Sequence, residues 1–217
     1  VIFGNIRKFV LYLLSCNISE ILAIGIASVI PFLPLPILPL QILFLNLVTD
    51  VFPALALGVG EGDDSVMDRP PRDAGENIVT RKHWWAISGY GILLTISVLA
   101  GLYYALFMLE MPEDQAVTIS FLILAFSQLW HVFNMRSIYS GFFSNEVSRN
   151  PWVWAALALC TLLLIAAVYT PGISSVMHLV DPGYKGWLIV AILSFFPLVA
   201  GQLFKLMAYL RKKGRKN

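Results

Sequence analysis

Six apolar runs, each about 20 residues long, leave this sequence few folds to choose from. A window of about 19 residues places them at approximately Phe9–Ile30, Leu38–Gly58, Trp84–Leu109, Ala116–Phe133, Trp152–Tyr169 and Trp187–Phe204. Each run can cross a bilayer core as a helix. Open strands are excluded, because their backbone groups would go unpaired in lipid. A barrel would show alternating segments of about ten residues, whereas these runs are apolar on every face. Composition agrees: 58% of the 217 residues are hydrophobic and 13% charged, against about 45–50% and about 25% in ordinary soluble domains. That balance rules out a disordered chain, a collagen-like chain and a basic nucleic-acid binder. The expected fold is all-α, a polytopic bundle of six transmembrane helices with the lipid bilayer as its solvent and no nucleic-acid partner. Cys16 and Cys160 lie inside apolar runs and form neither a disulfide framework nor a metal spacing.

Charge sets the expected orientation. Arg7 and Lys8 precede span one, and Arg69, Arg72, Arg81 and Lys82 sit in the long second connection, residues 59–83. Arg136 and Arg149 lie in the fourth connection, and Lys205 and five basic tail residues follow span six. Fourteen of the fifteen basic residues thus share one side, with only Lys185 opposite. The positive-inside rule makes that side the cytoplasm, with both termini there and residues 59–83 a cytoplasmic loop. Trp84, Trp85, Tyr103, Tyr104, Trp152, Trp154, Tyr169 and Trp187 mark span ends as an interfacial aromatic belt.

Within the predicted spans only two residues are charged: Glu20 in span one and Asp50 in span two. A charge at that depth costs about 2.5–3.5 kcal/mol on insertion scales, and such residues mark ion or proton paths. Asn17 shares a helical face with Glu20, and Asn46, Thr49 and Asp50 lie together on span two. Spans one and two form a tight hairpin through Pro31–Pro39, so the two faces are expected to meet at one depth. Carboxylate, amide and hydroxyl oxygens make a hard-cation donor set. No Lys or Arg opposes them in the membrane, so the pair must bind a cation, take up protons, or both. Pro53 lacks the N–H that the Thr49 carbonyl would accept, so it is read as a hinge that leaves this carbonyl free to join the ligands. Gln128 in span four adds a neutral oxygen. A single Asn or Thr in a membrane helix is ordinarily interhelical glue; His131 and Asn134, near the cytoplasmic end, are read as capping or interface residues.

Three stretches in order carry a family resemblance: Asn17-Ile-Ser-Glu20; Asn46-Leu-Val-Thr49-Asp50 with Pro53-Ala-Leu-Ala-Leu-Gly58; and Met67-Asp68-Arg69-Pro70-Pro71-Arg72. The chain resembles the C-terminal membrane region of P-type cation-transporting ATPases, in particular the calcium-pump type, over essentially its whole length. The resemblance implies that residues 1–217 are one C-terminal transmembrane domain, the last six of ten membrane helices. It implies that Asn17, Glu20, Thr49 and Asp50 contribute to one cation site, and Asn46 and Asp50 to a second together with a helix outside this chain. Asp68, Arg69, Pro70, Pro71 and Arg72 would form a coupling loop against the cytoplasmic phosphorylation domain, and span one would be the stalk helix.

Calcium is the implied transported ion, with manganese, as in secretory-pathway relatives, the alternative. Sodium–potassium relatives resemble an aspartate at the Asn46 position, so Asn46 favours calcium. Two-calcium pumps have a glutamate where Gln128 stands, which removes a charge and points toward one ion per cycle or a weaker second site. ATP and magnesium would act only through the missing cytoplasmic domains, so the chain is not expected to hydrolyse ATP alone. Its partners would be those domains and the missing N-terminal helices of the same pump. The chain opens on Val1 without a leader pattern and is read as a piece of a longer protein of the plasma membrane, or of the inner membrane in a bacterium. The competing readings are a self-contained secondary transporter or channel, which an inverted repeat would favour, and a non-transporting membrane assembly module.

Overall fold

The computed structural model describes residues 2–60, 77–137, 140–141 and 144–214, the last four of these by backbone only. Among the described residues there is no strand, and six helical stretches are long and apolar enough to cross a membrane. Helix α1 (Ile2–Val29) leads through a Pro-rich turn into a second stretch, Pro39–Gly58, made of α2 (Pro39–Leu45), a π-helical turn over Asn46–Asp50, and α3 (Val51–Gly58). Helix α4 (Arg81–Tyr103) continues as a second π-turn (Tyr104–Met108), and α5 (Glu113–His131) ends in a 3₁₀ turn (Val132–Met135). Helix α6 (Pro151–Tyr169), the short α7 (Pro171–Val176) and α8 (Gly183–Gly214) complete the chain. This is a multi-pass integral membrane protein.

Two helices outrun the predicted spans. Helix α1 starts at Ile2 rather than Phe9, and α8 runs to Gly214 rather than stopping near Phe204. A helix satisfies its own backbone in water as in lipid, so hydrophobicity marks where it meets lipid and not where it ends. The connection after α6 also contains α7, started by Pro171 at its first position, where a missing N–H is harmless.

Burial ranks the helices. In the most apolar 18-residue window of the α5 stretch 83% of residues are buried, against 33–50% in the others, so α5 is the centre of the bundle. Helix α5 packs against α4 and α8, and α1 packs along α4. Gly91 makes the α1–α4 approach possible: a Cβ there would lie 2.6 Å from Ile18 Cγ2. The outer faces carry exposed Leu43, Leu162 and Ile192, suited to lipid.

The two ends of the bundle differ. At one end Arg7 donates to the Ile78 carbonyl, Lys8 pairs with Glu146 at 3.0 Å, and Arg136 Nε donates to Gln202 at 2.7 Å. Lys205 donates to the carbonyls of Asn134 and Arg136. At the other end, Gln115 donates to the Asp181 carbonyl and Gln41 to the Met177 carbonyl. Arg7, Lys8, Arg136 and Lys205 therefore gather at one end. The coupling-loop residues Asp68, Arg69, Pro70, Pro71 and Arg72 lie outside the described residues.

Candidate functional site

The site begins with the break in the second membrane stretch. Pro53 cannot donate an N–H, and the helix before it widens into a π-turn at Asn46–Asp50. This turn carries three of the six predicted site residues. Thr49 and Asp50 are buried at 0% and 5% exposure, while Asn46 is half-buried.

The six residues fall into two adjoining groups. In the first, Thr49 Oγ1 lies 2.8 Å from Gln128 Oε1 and 2.9 Å from the Leu45 carbonyl. Gln128 Nε2 donates to Glu20 Oε1 at 2.9 Å. The central helix α5 thus bridges the turn to α1 through one amide, and all three side chains are buried. In the second group, Asn17, Asn46 and Asp50 line a groove of about 570 Å³ along α1 and α3, with Phe9, Leu13 and Leu55 among its apolar walls. Asn17 turns its amide N–H onto the Leu13 carbonyl of its own helix at 3.0 Å. Asn46 Oδ1 and Asp50 Oδ1 are buried with no hydrogen-bond partner. Buried oxygens without a donor are costly unless something fills that role. The two groups adjoin: Thr49 and Asp50 are neighbours on the π-turn, and Asn17 and Glu20 share α1 one turn apart.

Among the described residues no three His, Cys, Asp or Glu side chains converge. The available donors are two carboxylates with neutral amide and hydroxyl oxygens, the chemistry that suits a hard cation and not a soft one.

The structure corrects one expectation. The Thr49 carbonyl is not free, because Tyr12 Oη donates to it at 2.8 Å. The adjacent Val48 carbonyl accepts from Cys160 Sγ at 3.1 Å. Sequence reasoning passed over both donors. Tyr12 was within its reach, lying two helical turns before Glu20 on the same face; Cys160 carried no signal. His131 and Asn134 are interface residues as expected. His131 stacks on Tyr12 at 5.9 Å, and Asn134 donates to the Pro197 carbonyl of α8 at 3.1 Å.

Comparison with known proteins shows the family. The family described as "Cation transporting ATPase, C-terminus" matches residues 34–207. The chain belongs to that family. Within this cation-transporting ATPase family, a calcium-transporting ATPase of Bacillus subtilis (strain 168) is 37% identical over 206 residues, covering 93% of the chain and 23% of the relative. Calcium-transporting ATPase 1 of Bacillus cereus is 33% identical over 94% of the chain and 24% of its own length. A P-type sodium-transporting ATPase of Plasmodium falciparum (isolate 3D7) is 41% identical over 107 residues, 49% of the chain and 8% of the relative. The chain therefore spans about a quarter of the length of the calcium-transporting relatives it matches.

Proposed function

We propose that this chain is the cation-binding membrane portion of an ATP-driven calcium pump. Asp50, Asn46 and Asn17 on the groove side, and Glu20, Thr49 and Gln128 on the inner side, supply its oxygens. The observation that carries this reading is the pair of buried, partnerless oxygens on Asn46 and Asp50 beside the bonded Glu20–Gln128–Thr49 chain. A cation lying between the groups would take both partnerless oxygens as ligands. The two bacterial calcium-transporting relatives, matched over more than nine-tenths of the chain, favour calcium.

Phosphorylation would occur in domains outside this chain. The basic end would face the cytoplasm by the positive-inside rule. Residues 68–72 would meet the phosphorylation domain there, and α1 would pass its movement to the site.

Gln128 also supports proton countertransport. An amide can be turned end for end. As assigned, its N–H serves Glu20 as a carboxylate, while its oxygen competes with the Leu45 carbonyl for the one Thr49 proton. Turned over, its oxygen accepts from a protonated Glu20 and its N–H serves Thr49, whose proton then goes wholly to Leu45. One neutral side chain thus satisfies Glu20 in either state.

The test is calcium-45 uptake into vesicles carrying the full-length pump. Glu20→Gln and Asp50→Asn are each expected to weaken calcium affinity by more than about tenfold, in keeping with the loss of a charged ligand. Wild-type affinity in both variants overturns the site. Uptake driven by sodium or manganese and insensitive to calcium would reassign the ion, the sodium outcome agreeing with the Plasmodium relative's name.

A further inference from the structure

Pro53 deprives two carbonyls of an N–H, one for each helical register available to it. In α-helical spacing the partner lost is Thr49, four residues back. In π-helical spacing it is Val48, five residues back. These are the two carbonyls that receive side-chain donors from other helices: Tyr12 Oη of α1 on Thr49 at 2.8 Å, and Cys160 Sγ of α6 on Val48 at 3.1 Å. Both donors are fully buried.

We infer that Tyr12 and Cys160 are positioning residues for the cation site, standing in for the missing proline N–H and holding the turn in its π register. The register decides where Asp50 points. Each residue of helix turns the side chains by about 100°. A slip from five-residue to four-residue spacing would swing the Asp50 carboxylate out of line with Asn46 and away from the groove. Neither Tyr12 nor Cys160 is read as a ligand: neither lines the groove beside Asn46 and Asp50, and a neutral thiol is a poor partner for a hard cation. Their effect on the cation passes through the backbone between them. Tyr12 is in turn braced by His131 of α5, stacked at 5.9 Å, so three helices act on one turn.

This inference rests on the proposed cation site, and its test separates the two. Tyr12→Phe keeps the ring and the stack on His131 but removes the donor. Cys160→Ala removes the second donor, and Cys160→Ser restores one of similar size. In the full-length pump, with calcium-45 uptake measured against free calcium, Tyr12→Phe is expected to raise the half-saturating calcium concentration about three- to tenfold, the scale of one buried hydrogen bond. The maximal rate should stay within about twofold. Cys160→Ala should give about a twofold rise, since a thiol is the weaker donor, and Cys160→Ser should return to wild type. Asp50→Asn is run alongside. If Asp50→Asn weakens affinity and Tyr12→Phe does not, the positioning role is overturned while the site stands. If Asp50→Asn has no effect, the site itself fails. A fall in maximal rate with unchanged half-saturation in Tyr12→Phe also overturns the inference, because it would mark a general structural defect.

Discussion

Gln128 shows how much one neutral side chain decides. It is the one predicted site residue on the central helix, and it links α1 to the π-turn through hydrogen bonds at 2.8 and 2.9 Å. Gln128→Leu keeps the volume and removes both contacts. Each buried hydrogen bond contributes about 0.5–1.5 kcal/mol net, so half-saturating calcium should rise about tenfold in uptake assays on the full-length pump. Protons exported from the vesicle lumen per calcium, read with a trapped pH dye, should fall in the same variant. Unchanged affinity together with unchanged proton movement would remove Gln128 from the site.

At the scale of elements, the bundle depends on close approach where a side chain is absent. A Cβ at Gly91 would stand 2.6 Å from Ile18 Cγ2 and 3.2 Å from Ile18 Cβ. Those atoms lie close to the α1 backbone and cannot swing away, so Gly91→Ala must push α1 off α4. The expected cost is about 1–3 kcal/mol, the range for overpacking. It should appear as a lower unfolding temperature of the detergent-solubilised protein. Adding Ile18→Ala should recover part of the loss, because it removes the colliding methyl; a double variant no better than Gly91→Ala alone would refute the contact. Side chains of neighbouring elements also bond the backbone near the two mid-helix prolines: Tyr12 and Cys160 donate to the Thr49 and Val48 carbonyls ahead of Pro53, and Asn134 donates to the carbonyl of Pro197 in α8.

Across the whole molecule, ion pairing at the basic end joins parts distant in sequence. Lys8 near the start of α1 and Glu146 in the fourth connection meet at 3.0 Å, and the Ser137 N–H donates to the same Glu146 oxygen at 2.6 Å. Burial alone would push the Glu146 carboxyl up. The Lys8 ammonium and the backbone N–H outweigh it and hold the group below the usual carboxylate range. A carboxyl depressed in the folded state contributes stability above its unfolded value of about 4.3, and loses that contribution as pH falls through its lower folded value. Glu146→Gln should therefore destabilise the protein by about 1–3 kcal/mol at neutral pH. Its unfolding temperature should converge with the parent's below about pH 4. A gap that persists unchanged at pH 3 would show that the ion pair is not its source.

Much of this protein is settled by sequence alone. The six membrane helices follow from apolar runs that no water-exposed fold tolerates, and the candidate ion site follows from two carboxylates too costly to bury without a purpose. Helical spacing put Asn46, Thr49 and Asp50 on one face, whereas the structure keeps Asn46 and Asp50 on the groove and turns Thr49 to Gln128. Pro53 announced a break in the helix, because a missing N–H is a local, covalent fact. Tertiary structure decided what spacing cannot reach. It divided the six residues between an inner hydrogen-bonded chain and an outer groove. It made α5 the central helix, although its run is slightly less apolar than the other five. It also closed the Thr49 carbonyl with Tyr12 and the Val48 carbonyl with Cys160. The reason is physical: a proline specifies which carbonyls lose their partner, but which side chain replaces it depends on the helices that pack alongside.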